Sequence, residues 1–270
     1  MQTTIRPPPA FGPGLAELWR YRELFYFFTW RDIKVRYKQT FLGVAWAVLQ
    51  PLLLMLVFTL LFGAGLRGQV DLPYPVFAFT GLLLWSLFAG GLMGAGMSMV
   101  ANAHIIQKVY FPRLIVPISS LMVSLFDFCM GLPVLLALLA WFECSLPLSA
   151  PVFFFSGLLL AFAGTLGLGC GLSALSVKYR DFRYVLPFLV QLLLFVTPVI
   201  YPVSYVKAEW ARRVLALNPM SGAIGLFRGT FSERPIDWTL TGISIASAAI
   251  LLGLGLRYFR ATEAYFADLA

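Results

Sequence analysis

Apolar residues run along this chain in blocks too long for the core of a soluble domain. A helix that crosses a bilayer needs about 20 mainly apolar residues to cover about 30 Å of hydrocarbon. Six blocks meet or approach that length, and they predict spans over 40–65, 76–100, 114–141, 151–176, 185–201 and 238–256. The first holds Pro51, the third holds Asp127 and Pro133, and the short fifth holds Pro187 and Pro198. Prolines are tolerated in such helices where neighbouring groups satisfy the freed backbone. The expected fold is therefore an all-α membrane protein. A segment over 1–39 precedes the six-span domain over 40–256, and a tail over 257–270 follows it.

Three stretches between the blocks carry their own patterns. Wound as a helix at about 100° per residue, 15–38 gathers Glu17, Arg20, Glu23, Arg31, Lys34 and Lys38 on one side. Trp19, Phe25, Tyr26, Phe28 and Trp30 supply much of the remainder, while Leu24 and Phe27 interrupt the polar side and Arg36 lies opposite it. The pattern predicts an interfacial helix along the cytoplasmic surface. Two roles stay open for it. It is an anchor for the first span, or its Arg31, Lys34, Arg36 and Lys38 also meet lipid headgroups or phosphate.

The second stretch, 102–113, joins the second and third blocks. It is too apolar for an idle loop, with Ile105, Ile106, Val109, Tyr110 and Phe111 set among polar residues. Such clusters mark a partner surface or a short helix folded onto the membrane, and both readings stay open. The third stretch, 220–231, is apolar, bears glycine and is too short to span. It follows the turn signal Asn218-Pro219 and predicts a re-entrant element.

Composition agrees with lipid as the solvent. The chain is 60% hydrophobic and 12% charged, against about 45–50% and about 25% in soluble domains. Its first forty residues carry charges throughout and show no cleavable signal, so the first span is expected to serve as the insertion signal. With the N-terminus inside, fourteen of the twenty lysines and arginines fall on cytoplasmic segments. That excess predicts that both termini are cytoplasmic. Most of the outside charges lie in one long loop before the last span, where the rule is less strict.

Candidate chemistry is sparse. No GxxxxGK[ST] segment is present, so the chain has no such device for holding ATP. No HExxH or GxSxG motif occurs, the three cysteines show no metal or redox spacing, and the only histidine is His104. Neither a catalytic residue nor a metal ligand is nominated. Asp127 is the one acidic residue deep in a predicted span. A charge at that depth costs about 2.5–3.5 kcal/mol on insertion scales, so it is expected to face the bundle interior or a wet cavity. It either belongs to a transport path or bonds helices together. Gln191 in the fifth span raises the same choice. Gly90-x-x-x-Gly94 and Gly167-x-x-x-Gly171 read as close helix packing.

The ordered motifs are similar to those of one family. They begin with Arg31-Asp-Ile-Lys-Val-Arg-Tyr-Lys-Gln-Thr40, Leu42-Gly43, Trp46 and Gln50-Pro51. Asn102, Lys108-Val-Tyr-Phe-Pro-Arg113, Pro117 and Asp127-Phe128 follow. Then come Tyr179-Arg-Asp181, Pro187, Gln191, Pro198-Val199, Asn218-Pro219 and Arg228, and last Glu263 and Phe266-Ala-Asp268. The chain resembles the ABC-2-type permeases of polysaccharide exporters, which export O-antigen, teichoic acid and related glycans.

That resemblance implies a homodimeric channel in a bacterial inner membrane, served by two copies of a separate ATPase that binds ATP and Mg. It implies that Asn102, His104, Ile105, Ile106, Gln107, Lys108, Val109, Tyr110, Phe111, Pro112 and Arg113 form the coupling helix that docks on the ATPase. It implies an interface helix in 15–38, and gate helices before the last span carrying Asn218, Pro219 and Arg228. The implied substrate is a glycan on a polyprenyl pyrophosphate, with Arg31, Lys34, Arg36 and Lys38 as pyrophosphate candidates and Asp127 and Gln191 as path candidates. Membrane lipids are expected partners and nucleic acid is not. The alternatives are an ABC-2 exporter of a drug or small lipid, a membrane-embedded glycolipid-processing enzyme, and a stand-alone channel or ion-coupled flippase centred on Asp127.

Overall fold

A computed structural model of the protein describes residues 15–38, 42–66, 68–232, 235–263 and 266. Arg6, Arg67 and Arg234, which enter the count of lysines and arginines, and Gln39, Thr40, Ala267 and Asp268 of the ordered motifs lie outside the described residues. Eleven α-helices follow one another, with no strand among the described residues. They are α1 (Leu15–Arg20), α2 (Arg22–Tyr37), α3 (Ala45–Phe62), α4 (Tyr74–Ala101), α5 (Ala103–Ile106) and α6 (Ile115–Trp141). After them come α7 (Ala150–Lys178), α8 (Phe182–Val196), α9 (Glu209–Ala216), α10 (Pro219–Gly229) and α11 (Trp238–Thr262).

Local chemistry sets several of these boundaries. The Asn218 side chain accepts from the Met220 N–H at 3.0 Å, and Pro219 opens α10 without wasting a donor. The Asp237 carboxylate accepts from the Thr239 and Leu240 N–H groups at 3.0 and 3.1 Å and starts α11. Among the described residues, α3, α4, α6, α7 and α11 are long and apolar enough to cross a membrane. The expected fifth span differs: α8 has only 15 residues and ends at Val196, not at Tyr201. At 1.5 Å per residue it covers about 22 Å, short of the hydrocarbon thickness. The last helix runs past Leu256 to Thr262, so the expected tail begins inside it.

Helix α4 is the hub of the bundle. Its most apolar window is 78% buried, against 39% for α6 and α7, 22% for α11 and 11% for α3. Val76, Leu83, Leu87, Phe88 and Leu92 are wholly buried, so α4 is apolar on every side, as a central helix must be. Helices α6 and α7 pack along it, α10 packs against α7, and α11 closes on α7. The glycine pairs read as packing sites do face neighbouring helices. A Cβ on Gly90 would meet Ser124 Oγ at 2.9 Å, and one on Gly167 would meet the Leu252 nitrogen at 2.5 Å. A Cβ on Gly255 would strike the Gly167 carbonyl itself. There α7 and α11 touch backbone to backbone, which only glycine permits.

That contact predicts a position-specific cost. Gly255→Val is expected to destabilise the purified protein by about 1–3 kcal/mol, the range for overpacking. Gly253→Val, on the same helix but with open space around it, is the matched control. Equal thermal stability of the two variants in detergent would remove the packing account.

Candidate functional site

Polar groups gather at the two ends of the bundle and at one point between them. At one end, α4 stops at Asn102, whose Nδ2 donates to the Ser98 carbonyl at 2.9 Å. Its Oδ1 accepts from Arg31 Nη2 at 2.7 Å, which ties α2 to the end of α4. Arg31 also pairs with Asp32 at 2.7 Å, and its guanidinium lies 4.6 Å over the Phe28 ring. The turn then doubles back through α5 to α6. Ile106, Phe111 and Pro112 are buried, whereas His104, Gln107, Lys108, Val109 and Tyr110 are exposed, with Ile105 and Arg113 in between. Val109 and Tyr110 are more than half exposed. The expected apolar cluster therefore divides. Phe111 stacks at 5.5 Å on Phe28 and anchors the turn, and Val109 and Tyr110 project from it.

Helix α2 does not lie alone on a surface. Its first half meets the start of α6 through Phe28 and Phe111, and its end reaches Phe126 through Tyr37, at 6.2 Å between rings. That end lies twelve residues into α6, about 18 Å along it. There Arg36 Nη1 sits 3.0 Å from Asp127 Oδ2, and the Tyr37 hydroxyl donates to Asp127 Oδ1. Burial, and then the Asp127 carboxylate, push the Tyr37 phenol well above its ordinary value, so it remains a donor. The cause of the helix's course is charge. Arg36, on the wrong side of the polar stripe, and Asp127, alone at its depth, satisfy each other.

The four basic candidates at the end of α2, with Lys38 just after it, thus part ways. Arg31 and Arg36 hold helices together, while Lys34 and Lys38 are exposed, Lys34 with its ammonium 5.1 Å over Trp30. Gln191 is exposed on α8, on the same face as Tyr184, Phe188 and Phe195. Of the two residues expected on a path, Asp127 is engaged by Arg36 and Tyr37, whereas Gln191 stands exposed on α8. Tyr37 was missed in the sequence, although it stands in the quoted motif. The misplaced Arg36 beside it was the available signal.

At the far end, Arg228 closes the break after α8. Thr197, Pro198, Val199 and Ile200 are non-helical and buried, so their carbonyls need donors from within the protein. Arg228 Nη1 donates to the Pro198 carbonyl at 2.9 Å, and Nη2 donates to the Phe77 carbonyl at 2.9 Å and to that of Val199. Its guanidinium lies 3.5 Å from the centre of the Phe77 ring. Gly81 makes room, since a Cβ there would meet Arg228 at 2.5 Å and the Val199 carbonyl at 2.6 Å. Tyr74 supplies the next bond, from its hydroxyl to the Ile200 carbonyl at 2.9 Å. Asn218 Nδ2 donates to Thr197 Oγ1 at 2.7 Å. A cavity of about 270 Å³ opens beside Arg228, bounded also by Gln69, Asp71, Arg212 and Ser232. Among the described residues no cluster of His, Cys, Asp or Glu could hold a metal ion.

The Arg36–Asp127 pair predicts unequal costs. Arg36 is 47% exposed and reaches water when Asp127 is lost, but Asp127, at 11%, keeps only the neutral Tyr37 hydroxyl when Arg36 is lost. Arg36→Ala is therefore expected to destabilise more than Asp127→Asn. Adding Asp127→Asn to Arg36→Ala should recover about 1 kcal/mol, since the stranded carboxylate is gone. Strictly additive melting shifts would mean the contact carries no energy.

Residues 23–232 match the family model described as ABC-2 type transporter. The chain is 33% identical over 238 residues to the O-antigen export system permease protein RfbA of Myxococcus xanthus, covering 87% of this chain and 90% of that one. It is 29% identical to a protein of the same name from Klebsiella pneumoniae, over 88% of this chain and 92% of the relative. It is 25% identical to the polysialic acid transport protein KpsM of Escherichia coli, over 86% and 91%. A family match over most of the length, on a bundle of membrane-length helices, leaves one conclusion: the chain belongs to the ABC-2 type transporter family, as a transport subunit and not an enzyme.

Proposed function

We propose that this protein is the permease subunit of an ATP-driven polysaccharide exporter. Two copies form the channel in a bacterial inner membrane, and two copies of a separate ATPase, which binds ATP and Mg, dock on the cytoplasmic side. The observation that carries the reading is the turn 102–113, where Val109 and Tyr110 project from a buried footing of Ile106 and Phe111. A knuckle of that kind fits a cleft on a partner and transmits its movement, because its base is packed against α2 and α6. The relatives named for O-antigen and polysialic acid support a glycan as cargo.

Six spans follow if α8 and its non-helical continuation through Tyr201 cross the membrane together, sheltered by Arg228 and Tyr74. Both termini are then cytoplasmic. The second copy is supported by the unpartnered faces of α3 and α8. Leu60 and Leu61 are largely exposed on α3, and Gln191 stands on the apolar outer face of α8. A glutamine on such a face gains a hydrogen-bonding partner in a dimer that lipid tails do not supply. Helices α9 and α10 act as the outer gate, hinged at Asn218-Pro219 and latched by Arg228. The glycan enters on a polyprenyl pyrophosphate. Lys34, exposed on α2, and Lys38, exposed just after it, meet the pyrophosphate, while Arg31 and Arg36 keep that helix in register. ATP drives the cycle only by binding one state of the dimer more tightly than the other.

Two measurements test this. Val109→Ser with Tyr110→Ser is expected to abolish co-purification of the ATPase while leaving the permease folded and in the membrane; unimpaired capture would remove the docking role. In a strain lacking the chain, lipid-linked glycan is expected to accumulate inside while its surface form disappears. A normal surface glycan without accumulation would overturn polysaccharide as the cargo.

A further inference from the structure

The end of α11 grips the turn 102–113 from behind. Arg113 is the last residue of that turn. Its backbone N–H donates to Glu263 Oε1 at 3.2 Å, and its guanidinium donates to the Glu263 carbonyl. The other oxygen of the same carboxylate is held by Arg260 Nη1 at 3.0 Å, and both side chains are only 12% exposed. Three residues on, Phe266 is 1% exposed, and the Arg113 guanidinium lies 6.0 Å from its ring centre. Phe266 meets Phe259 edge-on at 5.2 Å. Phe259 is wholly buried in one apolar cluster with Ile106, Phe111, Ile115 and Phe28. Glu263 and Phe266 therefore hold the turn by its backbone, by its terminal charge and by its buried anchor.

Glu263 is suited to this task. A carboxylate beside the start of α6 meets the partial positive charge of that helix end. The Ile115 and Val116 N–H groups donate to the Pro112 and Arg113 carbonyls at 3.1 Å, while the Arg113 N–H donates to Glu263. Arg260, three residues back on α11, fixes the carboxylate's direction. The turn is continuous with α4 and α6 and is tied to α2 through Arg31 and Phe28. The contact with Glu263, distant by 150 residues in sequence, adds a defined position relative to α11.

We propose that Arg260, Glu263 and Phe266 form a clasp that positions the ATPase-coupling turn, with Glu263 as its positioning residue. The inference rests on the reading of 102–113 as the ATPase contact. The clasp passes displacement of the turn to α11, and through the Gly167–Gly255 contact to α7.

The test uses the full chain in nanodiscs, with its three cysteines replaced and a nitroxide on Lys108→Cys. Glu263→Ala is expected to raise the label's mobility, and Glu263→Gln is expected to raise it less, because the amide oxygen still accepts from Arg113 N–H although its NH2 cannot accept from Arg260. A label on Val206→Cys, far from the clasp, stays as before in both. In the assembled complex, Glu263→Ala is expected to retain the ATPase but to export less glycan per ATP hydrolysed. The drop is about fivefold or more, the shift that losing one net hydrogen bond produces. Phe266→Leu carries the same test should Glu263→Ala fail to assemble. Unchanged mobility at position 108, or raised mobility with unchanged export per ATP, overturns the clasp. Failure of the underlying reading shows elsewhere, as normal ATPase capture by the Val109→Ser, Tyr110→Ser protein.

Discussion

Hydrocarbon offers no hydrogen bonds, so every polar group at membrane depth must find its partner inside the protein. Arg228 is where this constraint acts most strongly. The chain leaves helical form at Thr197, and proline at position 198 prevents the helix from continuing. The carbonyls exposed by that break are met by one guanidinium, which also reaches the first turn of α4 through Phe77. An arginine suits the place because its several donors are fixed in one plane and stay charged at neutral pH. The glycine at position 81, the cap at Asn218 and the hydroxyl of Tyr74 all serve the same small volume. Asp127 obeys the constraint at another depth by drawing Arg36 and Tyr37 from α2.

Helix α4 joins the two ends. Its first turn receives Arg228, and its last residue leads into Asn102 and the exposed turn. Its 28 residues span about 42 Å as a single rod without an internal break. Because it is buried on all sides, it cannot move without moving α6 and α7 with it. A displacement at the turn is thus carried towards the far end by packed helices and not by a flexible tether. The clasp from α11 adds a second route, through the glycine contact with α7.

Much of the bundle was legible in the sequence because lipid acts on one variable, the length of an apolar run. Spans two, three, four and six fell within a few residues of their helices, apart from the longer end of α11. The apolar turn stood out for a related reason, since water-facing apolar residues are conspicuous in a chain sorted by solvent. The short α8 was harder. Hydropathy continues through Val199 and Ile200 although the helix does not, and an average over side chains is blind to the backbone. Asp127 was visible as a charge needing company, and Arg36 as a charge on the wrong side of its helix. Joining the two required knowing that α2 runs along α6.

Residue type and order were enough for the class of fold, the approximate limits of the five long apolar helices, the family motifs and the short roster of residues with unmet needs. Each follows from transfer of single side chains or from local backbone preference. Partnership lay beyond that reach. Arg228 with Pro198 and Phe77, Arg31 with Asn102 and Glu263 with Arg113 are separated by 30, 151, 71 and 150 residues. Which donor meets which acceptor across such distances depends on how whole helices pack, and packing is a property of facing surfaces. The chain states what must be paired, and the fold chooses the pairs.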